Sequence, residues 1–384
     1  MWKLFPGDPQ NPPDPPKEKP APPKEFTGRR NDRGQGIGRM RAISLISMLL
    51  FACGQEKSES RWFAMDTEFV AVAYGRGHVN MDSVFSRLKE EAARIENRFS
   101  DYSDSSDLNR LSGIQGDTLS LDPELALLFS MAESLSLSSS GRFDITLGPL
   151  KHAYGLGSGE TGKIPSESEI SKILMDNPAF HGKIPGDSGF PSFRILSGNK
   201  LIFLRDSLRF DLGAIAKGYA VDRLSGLLDS MGFPAHIIQA GGDMKCVGVK
   251  PDGEWNIGIR HPRHPDSICG SIRTGPSAIS TSGDYERCFF SGGKRYHHIL
   301  DPSTGRPAAP FASVTILASG SRIADGLSTT LFILGPGGVA DTLLRSRDAE
   351  ALWIRENPDQ SLCAVVTKGF RKKLSSFVIP VCPK

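Results

Sequence analysis

The stretch "RIADGLSTTLFI" at residues 322–333 places an aspartate and a threonine four residues apart inside an apolar run. On a helix, Asp325 and Thr329 stand at i and i+4, so their oxygen atoms point to the same side. A carboxylate and a hydroxyl are hard ligands that suit Mg²⁺, which often takes one or two protein oxygens and leaves its other positions to phosphates and water. A helix cap with a back-bonding threonine explains the same spacing. The spacing alone leaves both interpretations open.

A second stretch, "FDLGAIAKGYAVDRL" at 210–224, leads from a strand through a glycine into a helix. The first turn of a helix exposes unpaired N–H groups and the positive end of the helix dipole, which together attract anions. Lys217 lies in this first turn and could neutralise a phosphate. An ordinary strand–helix junction with a solvated lysine is the alternative.

A third stretch, "AISTSGDYERCFFSGGKRYHHILDPSTGRP" at 278–307, sets two polar clusters on either side of a short aromatic hairpin. His298 stands three residues before an Asp-Pro turn. A histidine in this position could act as a general base. A histidine that only hydrogen-bonds a loop is the commoner case.

These three stretches, taken with five others, resemble the ApbE family of flavin transferases, the FAD:protein FMN transferases. The similarity covers about residues 62–355, and its motifs follow the family's order at similar separations. The motifs are "MDTEFVAVAYG", "RFSDYSDSSDLNRL", "GRFDITLGPL", "DLGAIAKGYAVDRL", "AGGD", "STSGDYER", "HHILDPSTGRP" and "ADGLSTTLFILG".

The resemblance implies an enzyme that splits the pyrophosphate of FAD and transfers FMN to a Ser or Thr hydroxyl of a partner protein. A phosphoester bond forms and AMP leaves. The resemblance also implies Mg²⁺, or Mn²⁺ in its place, because a divalent cation stabilises the charge that develops on the phosphate oxygens. The expected partner is a respiratory redox subunit. An FAD pyrophosphatase, which gives the FMN to water, and a flavin-binding lipoprotein without catalysis remain alternatives.

The resemblance also assigns expected roles to individual residues. Asp325 and Thr329 match the metal's side-chain ligands, the Ala214 carbonyl matches its backbone ligand, and His298 matches a base that deprotonates the acceptor hydroxyl beside the cofactor. The remaining matches are FAD contacts: Met65 and Tyr102 at the flavin, Phe143 and Asp144 at the adenine or ribose, and Asp211 and Lys217 in the shared motif. Two residues depart from the family pattern, Asp66 in place of glycine and Gly326 in place of alanine.

The amino-terminal part of the chain differs in composition from the rest. Residues 1–39 contain nine of the 27 prolines, which predicts a disordered segment, interpreted as lying upstream of a true start at Met40. Residues 40–52 have the basic and apolar parts of a signal peptide. "LFAC" resembles a bacterial lipoprotein signal, so Cys53 is expected to carry lipid and 53–61 to form a tether. This predicts a membrane lipoprotein that faces the periplasm. A buried cysteine in an amino-terminal helix is the alternative.

The net charge of +3 comes from the amino-terminal segment. Residues 1–52 carry nine Lys or Arg and five Asp or Glu, whereas the remainder carries 37 basic and 38 acidic residues. No basic patch typical of nucleic-acid binding therefore remains. The 39% apolar content is sufficient for a large core, and residues 62–384 are predicted to form the catalytic domain.

The elements that must position these residues follow from periodicity. We predict a strand at 66–75, helices at 82–99, 214–232 and 323–334, and a helix that begins at the cap Asp122. Residues 138–150 are expected to form a turn, a short strand and a loop, 155–198 an irregular segment, and 199–213 a hairpin. Strands and helices mix without strict alternation, which indicates an α+β fold, with the active site between two subdomains. A disulfide between Cys363 and Cys382 is one possible pairing.

Overall fold

The structure is a computed structural model that describes residues 56–75, 79–112, 114, 118–157, 160–176, 192–204 and 208–383. The predicted signal peptide, Cys53 and the proline-rich segment lie outside the described residues. The strands of the described part are β1 (Glu56–Ala64), β2 (Thr67–Gly75), β3 (Thr118–Ser120), β4 (Phe193–Leu196), β5 (Lys200–Phe203), β6 (Ala235–Ala240), β7 (Asp243–Val247), β8 (Trp255–Arg260), β9 (Ile268–Thr274), β10 (Ser277–Gly283), β11 (Cys288–Ser291), β12 (Lys294–His297), β13 (Leu300–Asp301), β14 (Arg306–Pro307), β15 (Phe311–Ala318), β16 (Glu350–Glu356), β17 (Leu362–Val366) and β18 (Leu374–Phe377). Its helices are α1 (Met81–Phe99), α2 (Asp107–Leu111), α3 (Pro123–Ser138), α4 (Gly148–Ala153), α5 (Glu167–Asp176), α6 (Ala216–Ser230), α7 (Ser321–Leu334), α8 (Gly338–Ser346) and α9 (Lys368–Lys373).

An eight-stranded antiparallel sheet is the centre of the fold, in the order β1-β2-β6-β7-β10-β15-β16-β17. Strand β2 is apolar on both faces because each face is covered. In β2, Phe69, Ala71 and Ala73 belong to the core shared with the helices. Val70 and Val72 belong to a second core on the opposite face, which includes residues of β8 and β9. The strand therefore reads as an unbroken apolar run.

The helices α6 and α7 pack on each other and on the large sheet, and α1 packs on α6. The apolar spacing of α1 buries one stripe of side chains, and the Asn80 side chain caps the helix by accepting from Ser83 N at 3.2 Å. Asp122 caps α3 as predicted, accepting from Glu124 N at 2.9 Å and from Leu125 N at 3.3 Å. The buried stripe of α1 and the Asp122 cap confirm two sequence predictions.

Several predicted elements differ from the structure. Residues 138–150 contain no strand; they form a turn that leads into α4. The predicted hairpin at 199–213 is wrong, because β5 pairs with the preceding β4 and with β3. The segment 155–198, predicted to be irregular, includes α5 and β4. Residues 56–61, expected in the tether, are paired with β2 as part of β1.

The carboxyl-terminal residues are fixed to the sheet by a disulfide. Cys363 of β17 is bonded to Cys382, with the two Cα atoms 4.8 Å apart, which confirms the pairing considered from the sequence. In the described part of the chain, no helix has the length and apolar character needed to cross a membrane.

Candidate active site

A cavity of about 530 Å³ opens where the turns of the large sheet meet the start of α6 and the middle of α7. It brings together every site residue that was predicted within the described ranges. These residues are Met65, Tyr102, Phe143, Asp144, Asp211, Ala214, Lys217, His298, Asp325 and Thr329. All belong to one structural unit, Gln55–Lys384, so the two predicted sides of the site are parts of a single unit.

Asp325 is positioned by the close approach of α6 and α7. Its Oδ2 accepts a hydrogen bond from Gly218 N at 2.9 Å. A Cβ atom on Gly218 would lie 2.5 Å from the Ser321 carbonyl oxygen and 2.7 Å from the Asp325 Cβ, so the approach requires glycine. Asp222 of α6 fixes the start of α7 by accepting from Ser321 N at 3.0 Å and from Arg322 N at 3.1 Å. The helix amide expected to attract an anion thus binds the protein's own carboxylate.

Lys217 lies between two buried carboxylates. Its Nζ is 3.3 Å from Asp243 Oδ2 and 3.6 Å from Asp325 Oδ1, and it donates to the Gly213 carbonyl at 2.9 Å. Burial opposes the charge on Lys217, but the two carboxylates raise its pKa. Its ammonium is therefore directed at Asp243 and Asp325. The sequence predicted a phosphate contact for Lys217 but not these two ion pairs.

The charge of this cluster is only partly balanced. Burial, together with the nearby Asp243 carboxylate, raises the pKa of Asp325 to about 7, although Lys217 opposes the shift. One ammonium beside two buried carboxylates leaves negative charge that a cation would stabilise. The described residues contain no group of three or more His, Cys, Asp or Glu side chains arranged to hold a metal. A cation here would therefore depend on hydroxyl, carbonyl and phosphate oxygens as well as on carboxylates.

A row of hydroxyl groups continues from this cluster. Ser280 Oγ donates to Asp243 Oδ1 at 2.6 Å and lies 3.1 Å from Ser328 Oγ. Ser282 Oγ lies 2.7 Å from Ser328 Oγ and 3.2 Å from Thr329 Oγ1. Asp325 and Thr329 face the same cavity, as their spacing predicted. The hydroxyl row holds this face of α7 against β10.

The opposite wall contains a second buried ion-pair cluster. Lys151 Nζ is 2.8 Å from Asp211 Oδ2 and 3.2 Å from Asp101 Oδ2, and it lies 5.1 Å from the centre of the Tyr102 ring. Burial alone would raise the pKa of Asp211, but Lys151 and the Gly213 N–H hold it below its usual value. Lys151 therefore fixes two of the predicted FAD-contact residues, Asp211 and Tyr102.

Asp144 presents an unpartnered oxygen in the wall of the cavity. Its Oδ1 accepts from Thr146 N at 2.8 Å and from Thr146 Oγ1 at 2.7 Å, whereas its buried Oδ2 has no hydrogen-bond partner. Burial raises the pKa of Asp144. Buried polar atoms are normally hydrogen-bonded, so this oxygen is suited to accept from a ligand's amino or hydroxyl group. Phe143 beside it is buried and supplies apolar surface.

Met65 and Asp66 form the two-residue turn between β1 and β2, where Ala64 pairs with Thr67. Both have positive φ, 49° and 57°, which the family's usual glycine adopts without strain and which aspartate tolerates better than most residues. Asp66 Oδ2 lies 3.3 Å from Arg287 Nη2. The second departure, Gly326, has a packing reason: a Cβ there would lie 2.6 Å from Leu135 Cδ1.

His298 approaches the cavity from the bend between β12 and β13. Its backbone N donates to the Arg287 carbonyl at 3.1 Å, and its Nδ1 lies 3.3 Å from the same oxygen. Burial, reinforced by His297 and the nearby cations, lowers the pKa of His298 to about 3. The imidazole is therefore neutral at physiological pH, which is the form that can accept a proton.

Some residues of the site were not assigned from the sequence. Asp243 belongs to the "AGGD" motif and Arg287 to "STSGDYER", so the motifs marked their positions but not their roles. Lys151 follows "GRFDITLGPL" directly and had no such signal. The partners of Lys151 and Asp243 are far away in sequence, and only the folded chain brings them together.

Comparison with known proteins agrees with this geometry. The model of the ApbE family matches residues 65–353. An FAD:protein FMN transferase of Vibrio cholerae is 29% identical over 307 residues, which cover 76% of this chain and 87% of that protein. One of Klebsiella pneumoniae is 30% identical, over 72% of this chain and 82% of that protein.

Solved structures give the same result. The ApbE protein of Thermotoga maritima superposes with a TM-score of 0.71 at 30% identity, over 83% of this chain and 99% of that one. The flavin transferase ApbE of Vibrio cholerae gives a TM-score of 0.71 at 25% identity, with the same coverage. Since the family model covers most of the described residues and the folds agree, this chain belongs to the ApbE family of flavin transferases.

Proposed function

We propose that this chain is a Mg²⁺-dependent FAD:protein FMN transferase. The observation that supports this best is that one cavity contains His298 together with the buried carboxylates of Asp325 and Asp243, which share the single ammonium of Lys217. In the proposed reaction, the bond between the FMN phosphorus and the bridging oxygen of FAD breaks. A new bond joins that phosphorus to a Ser or Thr oxygen of the partner, and AMP leaves with the bridging oxygen.

The donor atoms of this chain fit Mg²⁺, or Mn²⁺ in its place. Asp325 and Thr329 offer a carboxylate and a hydroxyl on one face of α7, and Ala214 offers a carbonyl at the start of α6. Hard oxygen donors combined with few carboxylates leave positions for phosphate oxygens and water. When bound, the cation supplies positive charge where negative charge develops on the phosphates.

The side chains have separate tasks in this proposal. His298 accepts the hydroxyl proton as the new ester bond forms, and its low pKa keeps it unprotonated beforehand. Met65 and Tyr102 contact the flavin, while Asp211 and Lys217 contact the FAD from the shared motif. Phe143 packs on the adenosine, and the free Oδ2 of Asp144 accepts from its adenine or ribose. Positioning contributes most, because phosphoryl transfer needs little covalent help from protein.

One incubation tests the activity. The protein, FAD and Mg²⁺ are mixed with the soluble domain of a respiratory redox subunit that carries a Ser/Thr acceptor site, and all products are weighed by mass spectrometry. An adduct of FMN on the acceptor, with an equal amount of AMP, is expected. Free FMN and AMP without adduct would make the protein a pyrophosphatase, and unchanged FAD would make it a binding protein. Asp325→Ala and removal of the metal by a chelator should each abolish adduct formation.

We also propose that the mature protein is anchored by lipid on Cys53 and faces the periplasm. The "LFAC" sequence supports the anchor, and the Cys363–Cys382 disulfide supports an oxidising compartment. The test is fractionation of cells that express the native chain or Cys53→Ser. Release of the variant from membranes is expected, and a variant that stays in the membrane fraction would contradict the anchor.

A further inference from the structure

A second depression, of about 350 Å³, adjoins the cavity. The two share the rim residues Asp66, Glu286 and Arg287. The second depression continues along the first residues of β11 and is bordered on its other side by the segment after α4. Any chain lying in it therefore leads directly to the entrance of the cavity.

The edge of β11 that borders this depression carries backbone groups without hydrogen-bond partners among the described residues. In an antiparallel pair, hydrogen-bonded and non-bonded residue pairs alternate. The bond from His298 N to the Arg287 carbonyl shows that Arg287 and His298 form a hydrogen-bonded pair. The pair Cys288 and His297 and the pair Phe290 and Arg295 are therefore not hydrogen-bonded to each other. The N–H and C=O groups of Cys288 and Phe290 therefore point away from β12.

Among the described residues β11 and β12 form a two-stranded sheet with no third strand, and further pairing is found only beyond the end of β12. Residues that follow β12 are paired with the chain around Ala308: Ala308 N donates to the Ile299 carbonyl at 2.9 Å, and His297 Nε2 lies 2.9 Å from the Ala308 carbonyl. On the β11 side, no backbone hydrogen bond within the described ranges pairs with Cys288 or Phe290. An exposed strand edge of this kind is a template for an added strand.

Resting on the proposed function, we propose that an extended segment of the acceptor protein binds as a third strand on the free edge of β11. Its chain then passes Arg287, and the Ser or Thr that follows the paired residues enters the shared rim beside His298. The free edge of β11 borders the second depression at Cys288 and Phe289, and that depression shares its rim with the transfer cavity.

The walls indicate what kind of segment fits. Gly155, Gly157 and Gly162 line the depression, and a Cβ atom on each of them would lie 2.1–2.6 Å from another protein atom. The glycines therefore keep this wall free of additional side chains. The charges on the rim already have protein partners, with Arg287 3.3 Å from Asp66 and Glu286 3.4 Å from Arg260. Recognition therefore depends on main-chain hydrogen bonds, and it favours a segment with small, uncharged side chains before the acceptor hydroxyl.

Matched pairs of variants test the strand. Phe290→Pro removes the outward N–H and Phe290→Ala keeps it, while both lose the same exposed side chain. Cys288→Pro and Cys288→Ala form a second pair. With the redox-subunit domain as acceptor, the KM for acceptor should be about fivefold higher in each proline variant than in its alanine partner, because one backbone hydrogen bond is lost. The KM for FAD should be equal within each pair. Equal acceptor KM values within both pairs would overturn the proposal.

Hydrogen–deuterium exchange of the unsubstituted protein gives an independent measurement. Saturating acceptor domain should slow exchange of the outward amides at Cys288 and Phe290, for which the described residues provide no backbone hydrogen-bond acceptor. Unchanged exchange at saturation would overturn the proposal that the acceptor adds a strand to β11, even if the proline variants raise the KM for acceptor. Failure of the proposed function looks different, because the unsubstituted protein would then form no adduct at all.

Discussion

The proposed metal site needs Asp325 as a carboxylate, whereas its burial in the fold disfavours that charged form. Its carboxylate is buried beside Asp243, and its pKa is raised to about 7. The folded protein therefore binds this proton more tightly than the unfolded chain, so stability falls as the pH rises from about 4 to about 7. The residue costs stability at physiological pH unless a cation compensates its charge.

We therefore expect Asp325→Asn to raise the Tm of the metal-free protein at pH 8 while it abolishes transfer. A pKa rise of this size corresponds to an upper bound of roughly 4 kcal/mol, and the gain should disappear towards pH 4. Melting curves between pH 4 and pH 8 measure the effect.

Asp211→Asn is the matched contrast, because Lys151 holds the pKa of Asp211 below its usual value. Its charge stabilises the fold above the ordinary aspartate pKa, and this contribution is lost as the pH falls through the lowered value. Asp211→Asn should thus lower the Tm at neutral pH. Shifts of the same sign in both variants would contradict the electrostatic account of the site.

His298 carries a separate prediction about pH. Because its pKa is lowered to about 3, the imidazole is neutral from pH 5 to pH 8. With saturating Mg²⁺, FAD and acceptor, the transfer rate should not decline near pH 6.5 through protonation of this residue. His298→Gln should lower kcat by about 10² to 10⁴-fold at every pH in that range. The pH–rate profiles of both proteins check this, and a decline near pH 6.5 that His298→Gln removes would contradict it.

At the scale of residues, the sequence indicated which side chains share the cavity better than it indicated the ion pairs that they form. Asp325 and Thr329 are one helical turn apart, so local geometry was enough to pair them. Lys151 meets Asp211 across 60 residues and Lys217 of α6 meets Asp243 of β7, and no local period encodes such contacts. For Lys217 the sequence therefore suggested a phosphate contact but gave no sign of the two carboxylates beside it.

Among the elements, those with a strong apolar period were predicted well. The spacing of α1 and the unbroken apolar run of β2 each followed from the side chains that they bury. The prediction was wrong where the partner strand decides the element: β5 pairs with β4 across a turn at Gly198 and Asn199, both with positive φ. Because residues 155–198 were predicted to be irregular, the sequence gave no partner strand for β5 on that side.

The contact of α6 with α7 gives a prediction at the element scale. Gly218→Ala would place a methyl group against the Ser321 carbonyl and Asp325, so the helices must separate. We expect a loss of roughly 1–3 kcal/mol of stability and a fall in transfer, because Asp325 moves with α7. Denaturant unfolding and the adduct assay measure the two effects.

Gly226 on the same helix is the control. A Cβ atom there meets nothing within 4 Å. Gly226→Ala should therefore stabilise the protein by up to about 1 kcal/mol through helix propensity and leave transfer unchanged. If Gly218→Ala behaved like Gly226→Ala, the close approach of the helices would not be what positions the site.

For the molecule as a whole, the Cys363–Cys382 bond closes the chain's carboxyl-terminal end onto β17. Its sequence separation of 19 residues predicts that reduction costs about 3 kcal/mol of stability. The bond is remote from the residues that line the cavity, so FAD affinity in the folded protein should not change. Unfolding and FAD titration with and without reductant test this, and an unchanged unfolding midpoint would contradict it.

The rim that the cavity shares with the second depression has a kinetic consequence. We expect FAD to enter the cavity over this shared rim, and an acceptor seated at Asp66, Glu286 and Arg287 would then cover its path. The substrates should then add in a compulsory order, dinucleotide first and acceptor second, with transfer inside a ternary complex. High acceptor concentrations should slow the enzyme by trapping a dead-end complex, and more FAD should relieve this inhibition competitively. Random addition in initial-rate experiments would mean that the dinucleotide enters by another route.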